Sequence, residues 1–405
     1  VNPTIDQPIF DWIDSRTGEM VDQLINWANR NTGSANIEGI NQFGVALGLE
    51  LTALGATVTQ IDLEPGQAID RFGKPISIPV GRAICATKRP HAPRRVFLCI
   101  HTDTVYPKDH AFQTCTRIDA NTLQGPGVAD AKGGIVVLLT ALAALERSPL
   151  AEKIGWEILF NPDEEIGSQS SAPLLKAAAE RNQIGLLFEP ATADGALIDR
   201  RKGSGNFTII LRGRSAHVGR DFSNGRNAIV AAAKMALDLH DINLKLETAI
   251  VNVAKIDGGG PTNVVPDLAI VRVNVRTTSM ADELRIAERL TDIIERVQRT
   301  GDITAELHGA FHSPPKIPDA KVELLMSLIT QCGTDLNIPI IYKSSGGACD
   351  GNKLLSYGLP NIDTLGPCGG NLHSPREFVL IDSLAQRAKL AAMVLLKLAT
   401  TDRSI

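Results

Sequence analysis

Aromatic residues make up only 4% of the 405 positions, and no stretch carries the roughly 18 to 20 uninterrupted apolar residues a bilayer-spanning helix needs. No membrane span is expected, and a soluble protein is. Charge of one sign is also in short supply: the formal net charge is −4, which gives neither a global basic field for nucleic acid nor a polybasic membrane anchor. Six cysteines (Cys85, Cys99, Cys115, Cys332, Cys349, Cys368) form no CxxC pair and no zinc-finger or disulfide spacing, so a metal must be held by nitrogen and oxygen. Cys99, inside Val96-Phe97-Leu98-Cys99-Ile100, reads as a small buried hydrophobe of a reducing compartment. The opening Val1-Asn2-Pro3-Thr4 lacks the basic and apolar regions of a secretory signal. Cytoplasm is the expected compartment, with a periplasmic or secreted location left open for a chain whose leader has been removed.

What is present is an alternation of short apolar runs with helical patterns. Two helical stretches flank Asn31-Thr32-Gly33-Ser34, the second running from Ile37 to Leu54. Strand-like runs follow at Val96 to Ile100, Trp156 to Phe160 and Ile184 to Phe188, with helices after Asp130 and near Pro173 to Arg181 between and after them. This order predicts an α/β fold with a mostly parallel sheet flanked by helices. Beyond Lys202-Gly203-Ser204-Gly205 the pattern becomes strand, helix, strand, strand, helix, strand up to about Leu307, which suits an inserted ferredoxin-like βαββαβ unit. Pro314-Pro315-Lys316-Ile317-Pro318 marks a linker, after which helix, strand and helix resume. A chain this long exceeds what one core usually organises. The expected division is a catalytic domain over 1–202 and 317–405, interrupted by an insert over 203–316.

Chemistry concentrates at the ends of the predicted strands, where ligands gather in open α/β sheets. Phe160-Asn161-Pro162-Asp163-Glu164-Glu165-Ile166-Gly167-Ser168 sets two adjacent carboxylates at the mouth of an apolar core. They repel and resist desolvation, so they persist most readily where a cation neutralises one and the other works as a base. His101 follows one strand and Glu189 another; Asp130 sits in a Gly-rich turn, and His373 in Leu372-His373-Ser374-Pro375. Asp103, two residues beyond His101 on extended chain, can reach one ring nitrogen and leave the other for a metal, although a strand-end turn with a satisfied histidine fits equally. Asp130 reads also as an N-cap, and Gly125-x-Gly127-x-x-Asp130 is only a weak echo of a dinucleotide fingerprint, because the third glycine is missing. Two imidazoles and three carboxylates, from His101, Asp130, Glu165, Glu189 and His373, suit two zinc ions about 3.5 to 4 Å apart if Asp130 bridges them. Manganese or cobalt suits so oxygen-rich a site as well.

Taken in order, His101-Thr102-Asp103-Thr104-Val105, Asp130-Ala131-Lys132-Gly133-Gly134, Asp163 to Ser168, Glu189-Pro190, Gly213-Arg214-Ser215-Ala216-His217 and His373-Ser374 resemble the motifs of a known family. It is that of the dinuclear zinc amidohydrolases that include glutamate carboxypeptidase, acetylornithine deacetylase, succinyl-diaminopimelate desuccinylase and aminoacylase. The resemblance spans nearly the whole chain and is closest to glutamate carboxypeptidase. It implies that His101 and Glu189 hold one metal, Glu165 and His373 the other, with Asp130 bridging, Glu164 as general base and Asp103 orienting His101. It further implies that His217 crosses to a partner's active site in a homodimer formed through the insert. By the same resemblance Arg276 clamps the substrate's carboxylate, with Asn263 a nearby polar contact; a guanidinium suits that bidentate task.

Two departures bear on the substrate. Glu306-Leu307-His308-Gly309-Ala310-Phe311 lacks an arginine that would grip a glutamate side chain, and Arg200-Arg201-Lys202 reads either as its substitute or as a solvated hinge. Cys349 stands where relatives usually have serine or threonine. The expected activity is cleavage of an amide next to a free carboxylate in a small peptide, or removal of the acyl group from an N-acyl amino acid. A cysteine hydrolase built on Cys349 is the reading from another class.

Overall fold

The computed structural model describes residues 3–299 and 302–401; Val1 and Asn2, which enter the signal-peptide reading, lie outside the described residues. Along Arg94–His101 the side chains alternate between two cores: Val96, Leu98 and Ile100 enter one cluster, Phe97 and Cys99 the other. Trp156, Ile158 and Phe160 of Ile154–Asn161 join the first cluster and Leu159 the second. Strands buried on both faces read as continuous apolar runs and need a helical layer on each side. One layer comprises Lys132–Leu145 and Ile381–Thr400, the other Ala172–Arg181 and Asp350–Ser356. In Lys132–Leu145 only Thr140 and Ala143 escape burial, so this helix is apolar all round.

The sheet has six strands in the order Thr57–Ile61, Ala83–Lys88, Ile154–Asn161, Arg94–His101, Ile184–Leu187, Asn361–Ile362. The last four run parallel. Of the first two, which the sequence reading does not contain, Ala83–Lys88 runs antiparallel to both its neighbours, so Thr57–Ile61 points the same way as the last four. Only residues 89–93 join Ala83–Lys88 to Arg94–His101, too few for the crossover that a parallel direction requires.

Residues 203–313 run Gly203–Arg212, Ala228–His240, Ala249–Gly258, Leu268–Thr277, Met280–Arg299, Thr304–Ser313, which is the expected βαββαβ order apart from short helical turns. Their fully antiparallel sheet has the order Ala249–Gly258, Leu268–Thr277, Gly203–Arg212, Thr304–Ser313. Alternation sorts its faces: Phe207, Ile209, Leu211, Val271, Val273 and Val275 pack under the helices, which leaves Asn206, Thr208, Arg272, Asn274 and Arg276 on the opposite face. A hairpin absent from the sequence reading, Gly66–Ile69 with Pro75–Ile78, leans on that second face. Arg272 Nη2 donates to Asp70 O (3.1 Å) and Arg212 Nη2 to Gly73 O (3.1 Å).

The chain enters and leaves this unit through one buried knot. Arg201 and Lys316 exchange backbone hydrogen bonds of 3.0 Å each, and both side chains converge on the fully buried Asp363, Arg201 at 2.8 and 2.9 Å and Lys316 at 2.6 Å. Arg201 is therefore neither a solvated hinge nor a free grip for substrate. Its guanidinium and the Lys316 ammonium hold the Asp363 carboxyl well below the usual range, against the opposing effect of burial.

Candidate active site

Adjacent parallel strands end at one edge of the sheet. Arg94–His101 ends on His101, Ile154–Asn161 leads into the short Glu164–Ile166 turn, and Ile184–Leu187 leads to Glu189. The site is assembled there. His101 is buried, with Nε2 2.9 Å from Asp130 Oδ1 and 3.6 Å from Glu189 Oε2. The other oxygen of Asp130, Oδ2, lies 3.3 Å from His373 Nε2, and Glu165 Oε2 lies 3.1 Å from the same nitrogen. His101, Asp130 and Glu165 can each aim one donor atom so that all lie within 4.8 Å of one another. Asp130 caps nothing: the helix it precedes has Ala131 at its N-cap and no side-chain cap.

Asp103 meets His101 Nδ1 with its backbone oxygen (3.0 Å) and, less closely, with its carboxylate (3.4 Å). The carboxylate also accepts the Glu164 and Glu165 N–H groups (3.2 Å each) and the Ser34 hydroxyl (2.8 Å), a task the sequence reading does not contain. One buried acid thus fixes both the histidine and the turn that presents the paired glutamates.

Glu377 has no counterpart in the sequence reading. Fully buried, its carboxylate accepts N–H groups from Gly127 (3.2 Å), Ala129 (2.9 Å) and Asp130 (3.0 Å), and the Tyr106 hydroxyl (2.8 Å). It pins the turn carrying Asp130 to the loop carrying His373. An isolated acid in a loop offers no periodic signal. Glu377→Ala strips the acceptor from three N–H groups at once, so urea unfolding should show a loss of about 1–3 kcal/mol or more, together with weakened cation binding. A variant with unchanged stability and cation affinity would show that the turn holds without it.

The acids compete for too little positive charge. Burial, with Glu189 nearby, raises the Glu164 carboxyl well above its ordinary range, and burial with Asp130 pushes Glu165 up to about 7. The Asp130 and Glu165 carboxylates raise His373 to about 10. Burial opposes charging His101, but Glu189, Asp103 and Asp130 outweigh it and raise its pKa. Two imidazoles face four carboxylates, and Glu165 Oε1 is buried with no hydrogen-bond partner.

His217, Asn263 and Arg276 lie on the 203–313 unit, and among the described residues none is hydrogen-bonded or ion-paired to the acid and histidine cluster of its own chain. His217 is exposed at the N-cap of Val218–Asp221, and Val218 N–H donates to Asn263 O (3.0 Å), which places the two side by side. Arg276 is half-buried, with Nε donating to Asn274 Oδ1 (3.1 Å), and among the described residues no carboxylate pairs with it. Cys349 is buried at the N-cap of Asp350–Ser356, and burial pushes its thiol well above the ordinary value. That is the reverse of what a thiolate nucleophile needs.

The family model described as Peptidase family M20/M25/M40 matches residues 97–397, about three quarters of the chain. The chain belongs to peptidase family M20/M25/M40. Carboxypeptidase G2 of Pseudomonas sp. (strain RS-16) is 27% identical over 97% of this chain and 92% of its own length. A succinyl-diaminopimelate desuccinylase of Gluconobacter oxydans is 26% identical over 72% of this chain and 78% of its own. An M20 family metallo-carboxypeptidase of Sulfolobus solfataricus superposes with a TM-score of 0.73 at 16% identity, covering 95% of this chain and 100% of that one. The YXEP protein of Bacillus subtilis, described as a dinuclear metal-binding peptidase of the M20 family, gives 0.68 at 15% identity over 96% and 99%. These structures share the fold. As an M20 peptidase the chain is a hydrolase of small molecules or peptides, and among its described residues no helix is long and apolar enough to cross a membrane.

Proposed function

We propose that the chain hydrolyses the amide bond next to a free carboxylate in a small peptide or N-acyl amino acid, using two divalent cations held by His101, Asp130, Glu165, Glu189 and His373. The two faces of Asp130 carry the reading. One oxygen meets His101, which also faces Glu189; the other meets His373, which also faces Glu165. The cluster therefore divides into two three-residue sets sharing one carboxylate, as a bridging ligand requires. The unpartnered Glu165 oxygen and the excess of carboxylates over imidazoles fit cations there, zinc by the ligand types, with manganese or cobalt also suited. Such cations would supply Lewis-acid polarisation of the scissile carbonyl and a lowered pKa for attacking water.

The chain's own residues do the rest. Glu164, left over from the two sets, takes a proton from the attacking water and returns it to the departing amine nitrogen. Asp103 holds the turn that aims it. Arg276, with no carboxylate partner among the described residues, is free to clamp the substrate's terminal carboxylate, and Asn263, held beside His217, contributes a polar contact in the site that His217 serves.

Residues 203–316 act as lid and dimerisation unit in this reading. Ala249–Gly258 is an edge strand with Ile250 and Ile256 exposed, a surface suited to pairing with a second copy across a twofold axis. His217 then serves the partner's site. Mixed dimers of His217→Ala and Glu164→Gln chains should recover activity that neither parent has, and absence of recovery in verified heterodimers would show that His217 acts elsewhere. The activity itself is tested by a release assay over dipeptides and N-acyl amino acids, with metal content measured alongside. Cleavage surviving complete metal removal but stopped by iodoacetamide would return the case to Cys349.

A further inference from the structure

Between the turn after Glu165 and the bare face of the 203–313 sheet lies a cleft of about 660 Å³, roofed by the Gly66–Ile69 and Pro75–Ile78 hairpin. Its floor is Ile166 and Gly167, directly beyond the paired glutamates, and its far wall carries Asn206, Thr208, Ala310 and His312. A polar chain connects that wall to the carboxylate clamp. Arg276 donates to Asn274 (3.1 Å), Asn274 Nδ2 to Asn206 Oδ1 (2.7 Å), and Asn206 Nδ2 lies 3.1 Å from His312 Nε2. Lys353, on the cleft's inner side, is close enough to Glu164 for each to feel the other's charge. The cleft therefore borders, through Ile166 and Lys353, the surroundings of the proposed base and, through His312 and Asn206, the polar chain that leads to Arg276.

Its size suits a large side chain, within the range of about 300–1,000 Å³ typical of small-molecule sites. Each cation on its walls already has a carboxylate: Lys353 is buried and faces Asp350 at 3.3 Å, and Arg272 faces Asp257 at 3.3 Å, an acid it shares with Lys255 (2.9 Å). Burial, with Lys353 and Arg276 near, pushes His312 down to about 4, so its imidazole is neutral at pH 7. Neither the ammonium nor the guanidinium on these walls is left over for an incoming carboxylate, whose desolvation would go uncompensated.

We propose, resting on the amidohydrolase reading above, that this cleft receives the side chain of the residue bearing the free carboxylate and selects a bulky uncharged one, aromatic or long aliphatic, over glutamate or aspartate. The test compares kcat/KM of the metal-loaded full chain on N-acetyl and glycyl derivatives of phenylalanine, leucine, glutamate and glycine. Phenylalanine or leucine should exceed glutamate at least tenfold. Filling the cleft by Ala310→Trp should cost the phenylalanine substrate tenfold more than the glycine one, and Ala310→Arg should raise the glutamate-to-phenylalanine ratio at least tenfold. Hydrolysis with glutamate equal or preferred in the unmodified chain, or equal losses on phenylalanine and glycine in the filled variant, would overturn the assignment while leaving the amidohydrolase reading intact. If none of these amides is cleaved, that reading fails and this one falls with it.

Discussion

Glu164→Gln should leave both cations bound and lower kcat by about 10²–10⁴-fold, the usual contribution of a positioned general base. Glutamine keeps the size and a carbonyl oxygen but cannot accept the proton. The backbone N–H of residue 164 still donates to Asp103, so the turn and its neighbour Glu165 keep their places. Glu164 belongs to neither three-residue set, which is why its loss should separate turnover from metal content. Single-turnover kinetics with elemental analysis of the same sample reads both. Activity within tenfold of the parent would remove Glu164 from the base role.

Asp130→Ala should do the opposite and empty the site. Its two oxygens face the two histidines at 2.9 and 3.3 Å, so one substitution takes a ligand from each half and leaves Glu165 and Glu189 without a shared cation to approach. Losing a mere supporting partner of a metal ligand weakens binding about 10–100-fold; losing the shared ligand should exceed that for both ions, and turnover should fall below detection. Metal titration of the variant against the parent is the check. Retention of two cations with unchanged affinity would show that Asp130 does not bridge.

Much of the site was legible because it rests on strand ends. His101, Glu164, Glu165 and Glu189 each follow an apolar run, and neighbouring parallel strands deliver them to one edge. Asp130 was legible as a turn residue before a helix, but spacing alone left it a cap; only its position facing both histidines removes that reading. His373 sits in an irregular loop with φ of 59°, where no periodicity applies; its residue type made it a candidate ligand, and the resemblance gave it a metal to hold. Glu377 and Asp363 stayed hidden for a related reason. Each is a single acid whose partners lie far along the chain, at residues 106 to 130 and at 201 and 316. The hairpin over 66–78 is not legible because its strands are four residues each and largely exposed or half-buried, with Ile76 and Ile78 separated by Ser77, so they carry no apolar run. Thr57–Ile61 is not legible because it is a mostly exposed edge strand without an apolar run, and the reversed direction of Ala83–Lys88 depends on link length rather than on strand composition.

The central claim is that Asp130 joins two cation sites. Crystals of the zinc-loaded chain, measured at the zinc absorption edge, test it most directly. The account predicts two anomalous peaks about 3.5–4 Å apart, one against His101 and Glu189, the other against Glu165 and His373, with Asp130 touching both. A single peak, or two peaks that do not share Asp130, would contradict it.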